Sequence, residues 1–205
     1  MNTALLTFND DSYNVLADLT LPTKRKYCDK WGLTLEYHNS NGRDPSWYKP
    51  DIFLQTLNKY DAVLFIECDA AIINQDFDVR PFLESHEFVI AADVNGINAG
   101  VFMGQSTDLV KQFFYTVITQ GPTYWHDHPW RDQEAMKYFG SEPPYDKMIT
   151  YVEQNFMNSY LNDIYGFPSY MQGNYQPGDW IVHLPGKSLQ ERCQIFKERF
   201  NLVKE

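Results

Sequence analysis

The sequence predicts one α/β domain with a Rossmann-like, mostly parallel central sheet flanked by helices. Three observations predict it. Apolar segments of strand length alternate along the chain with segments of helical periodicity. Residues 61–66 (DAVLFI) form an almost continuous apolar run, which is how a strand buried on both faces reads in a parallel sheet. No internal repeat, low-complexity tract or Gly/Ser linker interrupts the 205 residues, so residues 1–205 read as one domain, complete or cut from a longer protein.

The elements follow in order. Residues 3–8 (TALLTF) read as a first strand, and Asp11 and Ser12 can cap the helix after it. Pro22 divides that helical region into two pieces, the second with proline in its first turn. Residues 33–38 read as a strand. Residues 46–57 read as a helix with Trp47, Phe53, Leu54 and Leu57 near one face and Pro50 in the first turn. The buried run 61–66 follows, then strands at 88–92 and 100–103, and a helix capped by Ser106. Residues 120–130 read as an irregular segment rich in Pro, His and aromatic residues. A helix over 132–138, a strand over 180–184 and a helix over 188–200 complete the chain.

Composition sets limits on function. Seventeen basic against 27 acidic side chains leave a net charge of −10, which disfavours a nucleic-acid binder and a polybasic membrane anchor. No apolar run approaches the roughly 18 residues of a membrane span, and the first residues lack the basic start of a signal peptide. Cys28, Cys68 and Cys193 are an odd number without metal-knuckle spacing, which fits a reducing compartment such as the cytoplasm. Aromatic residues make up 16% of the chain, more than a core of this size needs, so some rings are expected to face a ligand.

The strongest local signal is the abrupt end of the buried run in Glu67-Cys68-Asp69. Carboxylates at i and i+2 on extended backbone share a face, about 6.6 Å apart along the strand. At the carboxyl edge of a parallel sheet, where ligands bind, such a pair repels itself unless a cation joins it, and Mn²⁺ or Mg²⁺ favours carboxylate oxygen. A solvated strand end, a structural ion, and the acid and nucleophile of a retaining glycosidase are the other readings of the pair. His183, at the end of the strand 180–184, is a ligand that Mn²⁺ accepts, and Gly186-Lys187 brings a flexible ammonium close behind it. The joint reading is a divalent metal with a diphosphate beside it.

These residues, with their order and spacing, make the chain similar to nucleotide-sugar glycosyltransferases of the GT-A fold. The nearest likeness is to family 34, which includes galactosyl-, mannosyl- and xylosyltransferases. FIECDAAI resembles the family's acid-x-acid segment, with Glu67 in place of the usual first Asp. Gly178, Asp179, Trp180, His183 and Gly186 match its late motif, Asn158-Ser159-Tyr160 lies upstream of it, and Trp47-Tyr48-Lys49 resembles its W-x-K. Asn98-Ala99-Gly100-Val101 and Asp132-Gln133 resemble motifs shared with retaining family 8. The matches span about residues 3–187. In its compactness and lack of an anchor the chain is also similar to a glycosyltransferase domain encoded by a large algal virus, which would work in the host cytoplasm.

The resemblance implies a metal-dependent retaining transferase that moves a hexose-type sugar from a UDP-sugar to a glycan or other hydroxyl acceptor. It implies Asp69 and His183, with Glu67, as ligands of Mn²⁺ or Mg²⁺. Thr7, Phe8, Asn9, Tyr13, Lys49, Glu67, Asp93, Asn98, Gly100, Gly186 and Lys187 are expected around the donor. Asp132 and Gln133 are expected at the anomeric centre. Trp125, His126, Trp130, Tyr165 and Tyr170 are candidates for the acceptor, since flat aromatic faces suit sugar rings. A non-catalytic carbohydrate-binding module and a metal-dependent hydrolase are the competing readings.

Overall fold

The computed structural model describes residues 1–168 and 170–204. Its centre is a six-stranded sheet in the order β2-β1-β3-β6-β5-β7. The strands are β1 (Thr3–Asn9), β2 (Thr34–Asn39), β3 (Ala62–Ile66), β5 (Phe88–Asp93), β6 (Gly96–Gln105) and β7 (Ile149–Val152). Only β6 runs against the others, pairing antiparallel with both β3 and β5, so the sheet is mostly parallel as expected. Beside it β4 (Ala70–Ile72) and β8 (Ile181–His183) form a two-stranded antiparallel sheet.

Strand β3 shows why the apolar run is continuous. Val63 and Phe65 enter the core on one face of the sheet, while Ala62, Leu64 and Ile66 enter the core on the other. The first core lies beneath α2 (Pro45–Leu57), α4 (Asp108–Trp125) and α5 (Arg131–Gly140), and is aromatic. There Phe53 sits 4.5 Å from Phe114 and 4.8 Å from Phe102, whose ring stacks on Phe65 at 4.9 Å. Helix α1 (Asn14–Trp31) and the short α3 (Arg80–Ser85) cover the opposite face, where Tyr27 and Trp180 meet. A third packed region joins α1 to α8 (Leu189–Phe200) through Leu16, Val182 and Phe196. Two short helices, α6 (Gln154–Met157) and α7 (Asn162–Tyr165), lead into β8.

Several local expectations differ from the structure. Thr107, not Ser106, caps α4, its hydroxyl accepting from the Val110 amide, and Asp10 rather than Asp11 or Ser12 is the capping side chain ahead of α1. Two more differ at proline. Pro22 does not divide α1, which runs unbroken for 18 residues. Proline inside a helix forfeits one hydrogen bond and crowds the preceding turn. Here Leu16, Leu19, Thr20, Tyr27 and Cys28 anchor the helix on both sides of it, and the Thr20 hydroxyl donates to the Cys68 carbonyl at 2.7 Å. Residues 120–125 are likewise helical, within α4 and past Pro122. Gly121 holds that end against α2, because a Cβ there would lie 2.6 Å from the Trp47 indole. Helix α8, by contrast, starts where its signature says, with Ser188 and Glu191 forming a reciprocal capping box.

Candidate active site

The carboxyl ends of β1, β3 and β5 reach one edge of the sheet, and the reversed β6 brings its own amino end to the same edge. Strand β3 stops at Ile66, so Glu67-Cys68-Asp69 is a turn rather than the extended segment expected from the sequence. The Glu67 amide donates to the Gly100 carbonyl, and the Ala70 amide returns to the Glu67 carbonyl. Chain reversal into β4 then pairs Ala70 with His183, and the Leu184 amide donates to the Asp69 carbonyl at 3.1 Å. Backbone pairing thus sets the imidazole beside the acids. Ligand atoms of Glu67, Asp69 and His183 all lie within 4.8 Å of one another.

His183 is buried, and its Nδ1 lies 2.8 Å from Asn158 Oδ1. An amide oxygen can only accept, so Nδ1 carries a proton and Nε2 is aimed at the carboxylates. Nε2 lies 3.2 Å from Asp69 Oδ1 and 3.5 Å from Glu67 Oε2, yet makes no well-formed hydrogen bond. Burial by itself would lower this imidazole, but Asp69 and then Glu67 raise it to about 9. Gly100 is required beneath it: a Cβ on Gly100 would penetrate the ring, coming within 2.9 Å of both ring nitrogens.

On the other side of Glu67 stands Lys49, from the W-x-K of α2. Its ammonium meets Glu67 Oε1 at 2.6 Å, Asp132 Oδ2 at 2.9 Å and the Ala99 carbonyl at 3.2 Å. Two carboxylates and a carbonyl thus surround the ammonium, although Asp132 Oδ2 makes no well-formed hydrogen bond with it. Burial pulls this lysine down, but Asp132 and Glu67 outweigh it and hold the group above the ordinary lysine range. Burial likewise pushes Glu67 up, and Lys49 and His183 more than reverse that, keeping the carboxylate ionised. At Asp132 burial prevails, so its carboxyl is raised despite Lys49. Next to Asp132, Gln133 Oε1 accepts from the Ala99 amide at 3.0 Å. Asp93, at the end of β5, accepts from Asn98 Nδ2 at 3.1 Å and from the Tyr160 hydroxyl at 2.6 Å.

Asp69 extends the pattern. Its Oδ1 faces His183 while its Oδ2 receives Arg192 Nη2 at 3.0 Å. The result is an alternating row of charges, Asp132–Lys49–Glu67–His183–Asp69–Arg192, in which Glu67 and Asp69 each give one oxygen to each neighbour. Arg192 also walls a cleft of about 200 Å³ with Phe8, Asn9, Tyr13, Glu67 and Asp69.

Several expected residues therefore meet: Glu67, Asp69, His183, Lys49, Asp132, Gln133, Asn98, Asp93 and Gly100 form one edge, and Phe8, Asn9 and Tyr13 line the adjoining cleft. Thr7 lies below it and accepts from Lys24 at 3.2 Å. The Lys187 ammonium is elsewhere, 2.6 Å from the Ile164 carbonyl and over the Tyr165 ring. Gly186, at φ +70°, supplies the left-handed turn that precedes it. Trp125 packs on Tyr138 and Phe139, His126 and Trp130 are exposed, and Tyr170 is 89% exposed. Tyr165 backs Tyr160, whose ring in turn meets His183. Sequence reasoning missed the structural roles of Lys24, Asn158, Tyr160 and Arg192. Asn158 and Tyr160 carried a motif signal, whereas Lys24 and Arg192 are single basic residues within helices and carried none.

The sequence profile of the galactosyl transferase GMA12/MNN10 family matches residues 82–194, more than half of the chain. The match takes in Asp132, Asn158, His183 and Arg192 and begins after the acidic triplet. No curated protein matches the chain in sequence. Among solved structures, the fold is similar to a glycosyltransferase involved in the glycosylation of the major capsid of PBCV-1. That likeness has a TM-score of 0.74 at 14% identity and covers 96% of this chain and 99% of that one. It is also similar to the apo form of the glycosyltransferase GlyE of Streptococcus pneumoniae TIGR4, with a TM-score of 0.63 at 11% identity, covering 100% of this chain and 65% of that one. A second GlyE structure gives 0.59 at 13% identity, covering 100% and 66%.

The geometry makes two predictions. Gly100→Ala displaces the imidazole, so any divalent-cation affinity that isothermal titration finds in the wild-type protein should fall by about 10–100-fold, with the folded circular-dichroism spectrum retained. The second concerns pH in metal-free protein. His183, raised to about 9, contributes stability that is complete below its ordinary 6.5 and lost as pH rises towards 9. Lys24, lowered by burial to about 8, acts in the opposite direction only above that value. Urea midpoints in chelator should therefore fall from pH 6.5 to 8, and His183→Asn should flatten that slope.

Proposed function

Because the chain belongs to the galactosyl transferase GMA12/MNN10 family and is a glycosyltransferase, we propose that it moves a hexose-type sugar from a UDP-sugar to a hydroxyl acceptor with retention of configuration. We read residues 1–205 as its catalytic domain. The observation that carries the proposal is the cluster of Glu67, Asp69 and His183 beside a cleft at the ligand-binding edge of the sheet. A buried Nε2 without a well-formed hydrogen bond, facing two carboxylates, suits a divalent cation of the Mn²⁺ or Mg²⁺ type. Asp69 and His183, with Glu67, would hold it, and when bound it supplies Lewis-acid stabilisation of the charge on the leaving diphosphate.

The chain's own residues do the rest. Phe8, Asn9 and Tyr13 receive the nucleoside in the cleft, with the Tyr13 ring available for stacking. Lys49 ties Asp132 to Glu67 and to the Ala99 carbonyl, which sets the spacing between the metal cluster and the sugar pocket. Gln133, whose Oε1 is engaged by Ala99, keeps its NH₂ for a sugar hydroxyl. Asp93 and Asn98, held by the Tyr160 phenol, face the donor sugar from β5 and β6. Pairing with Lys49 weakens Asp132 as a nucleophile, which favours a front-face reaction. The bond from the anomeric carbon to the diphosphate oxygen breaks, and the acceptor oxygen bonds to that carbon on the same face. The leaving oxygen takes the acceptor's proton.

Ligands that bind only the folded state raise Tm by mass action. With Mn²⁺ present, UDP at a hundredfold excess over Kd should stabilise by about 2.7 kcal/mol, roughly 5–10 °C for a chain of this length. Chelator and Asp69→Ala should each abolish the shift. NMR of the transfer product should show the anomeric configuration of the donor; an inverted product rejects retention.

A further inference from the structure

Arg192 stands apart from the other cations of the row. Lys49 lies between two carboxylates and a carbonyl, away from the cleft lining. His183 lies between two carboxylates, with its other nitrogen on Asn158. Arg192 ends the row, and among the described residues it pairs with one carboxylate, Asp69. Its side chain is nevertheless buried and rigidly held, since Nε donates to the Leu184 carbonyl at 2.9 Å, one residue beyond His183. A guanidinium carries five N–H groups in a planar fork. Leu184 and Asp69 take one each and Tyr13 takes a third, its ring 5.7 Å from the guanidinium carbon. N–H groups therefore remain for a ligand in the cleft that Arg192 lines.

The position of that fork says which part of a ligand it meets. Phe8, Asn9 and Tyr13 line the cleft at and beyond the carboxyl end of β1, and Glu67 and Asp69 line it beyond the carboxyl end of β3. Arg192 touches both groups, through Tyr13 and through Asp69. On the function proposed above, the nucleoside meets the first group and the cation the second, and a diphosphate joins them. A planar fork matches phosphate oxygens in a way a point charge does not. The other candidate cation, Lys187, already donates to Ile164 and lies 4.0 Å from Glu191.

We propose that the Arg192 guanidinium, rather than the Lys187 ammonium, is the fixed cation that binds the diphosphate of the donor. Arg192 is thereby a donor-binding residue that also orients Asp69 through its second edge.

The test is calorimetric binding of uridine, UMP and UDP, with Mn²⁺ present, to the wild-type protein and to Arg192→Gln, Arg192→Lys and Lys187→Gln. Uridine serves as the reference because it has no phosphate. Arg192→Gln should weaken UDP by at least tenfold and uridine by less than threefold. Arg192→Lys should restore only part of the UDP affinity, and Lys187→Gln should change UDP by less than threefold. Equal losses of uridine and UDP in Arg192→Gln would reduce Arg192 to a wall of the cleft and overturn the proposal. So would a selective loss of UDP in Lys187→Gln alone. If Arg192→Gln does not fold, Arg192→Lys decides by the same criterion, UDP weakened with uridine retained. Mn²⁺ titration without nucleotide separates the two roles: a variant that loses Mn²⁺ and UDP affinity in equal measure acts only through Asp69, and the proposal fails. A wild-type protein that binds neither UDP nor uridine rejects the UDP-sugar reading itself, a result distinct from every failure confined to the variants.

Discussion

Three carboxylates are gathered at one edge of the sheet, and the structure tolerates them because three cations are set between and beside them. Glu67, Asp69 and Asp132 would repel one another strongly in a partly desolvated site, where Coulomb energies are several times those in water. Lys49, His183 and Arg192 come from α2, β8 and α8, elements far apart in the chain. Each cation therefore ties Glu67 or Asp69 at the sheet edge to a different element of the fold. Removing any one cation strands a carboxylate with half its partners, and uncompensated buried charge costs far more than an ion pair yields. Organisation of the site and closure of the fold are for this reason the same problem.

Backbone topology solves the steric half of it. If β6 ran parallel to its neighbours, its carboxyl end rather than Asn98-Ala99-Gly100 would lie at the ligand edge. Reversal delivers the Ala99 carbonyl to Lys49 and the Ala99 amide to Gln133, and it puts the bare Cα of Gly100 beneath the imidazole. The small β4–β8 sheet does the equivalent for His183, whose amide is held by the Ser159 carbonyl and whose ring is held by Asn158. Lys24 reinforces the same edge from below. Its ammonium bridges Thr7 Oγ1 and the Glu67 carbonyl, which ties the ends of β1 and β3 together.

How much of this was legible in the sequence depended on whether a signal was local. A strand that is apolar on both faces and then breaks into Glu-x-Asp announces a charged sheet edge, and the apolar run of β5, which ends in Asp93, points to the same edge. The alternation of elements was legible for the same reason. Pro22 and Pro122 misled, since the local cost of proline is visible in sequence while the packing of Tyr27, Trp47 and Trp125 that offsets it is not. Arg192 was invisible for a related reason. Within LQERCQIFKERF it is one of several charges, and only the approach of α8 to Asp69 separates it from Arg199, which pairs instead with Asp163. Lys187 shows the converse: a flexible ammonium close to a motif in sequence is satisfied by the nearest carbonyl in space.

The overall charge of −10 and an anionic donor are reconciled by the same row. With His183 protonated, its three acids and three cations balance, so the edge presents little attraction to a diphosphate despite the guanidinium at its end. On the proposed function, a divalent cation takes Nε2 of a neutral imidazole. Its two charges replace the single proton lost, so the row changes from balanced to net positive. Asp69 then shares its charge with the ion as well as with Arg192, and the guanidinium has more of its field to give to a phosphate. On that reading, attraction for the donor is conditional on the metal, in a chain whose net charge disfavours polyanions.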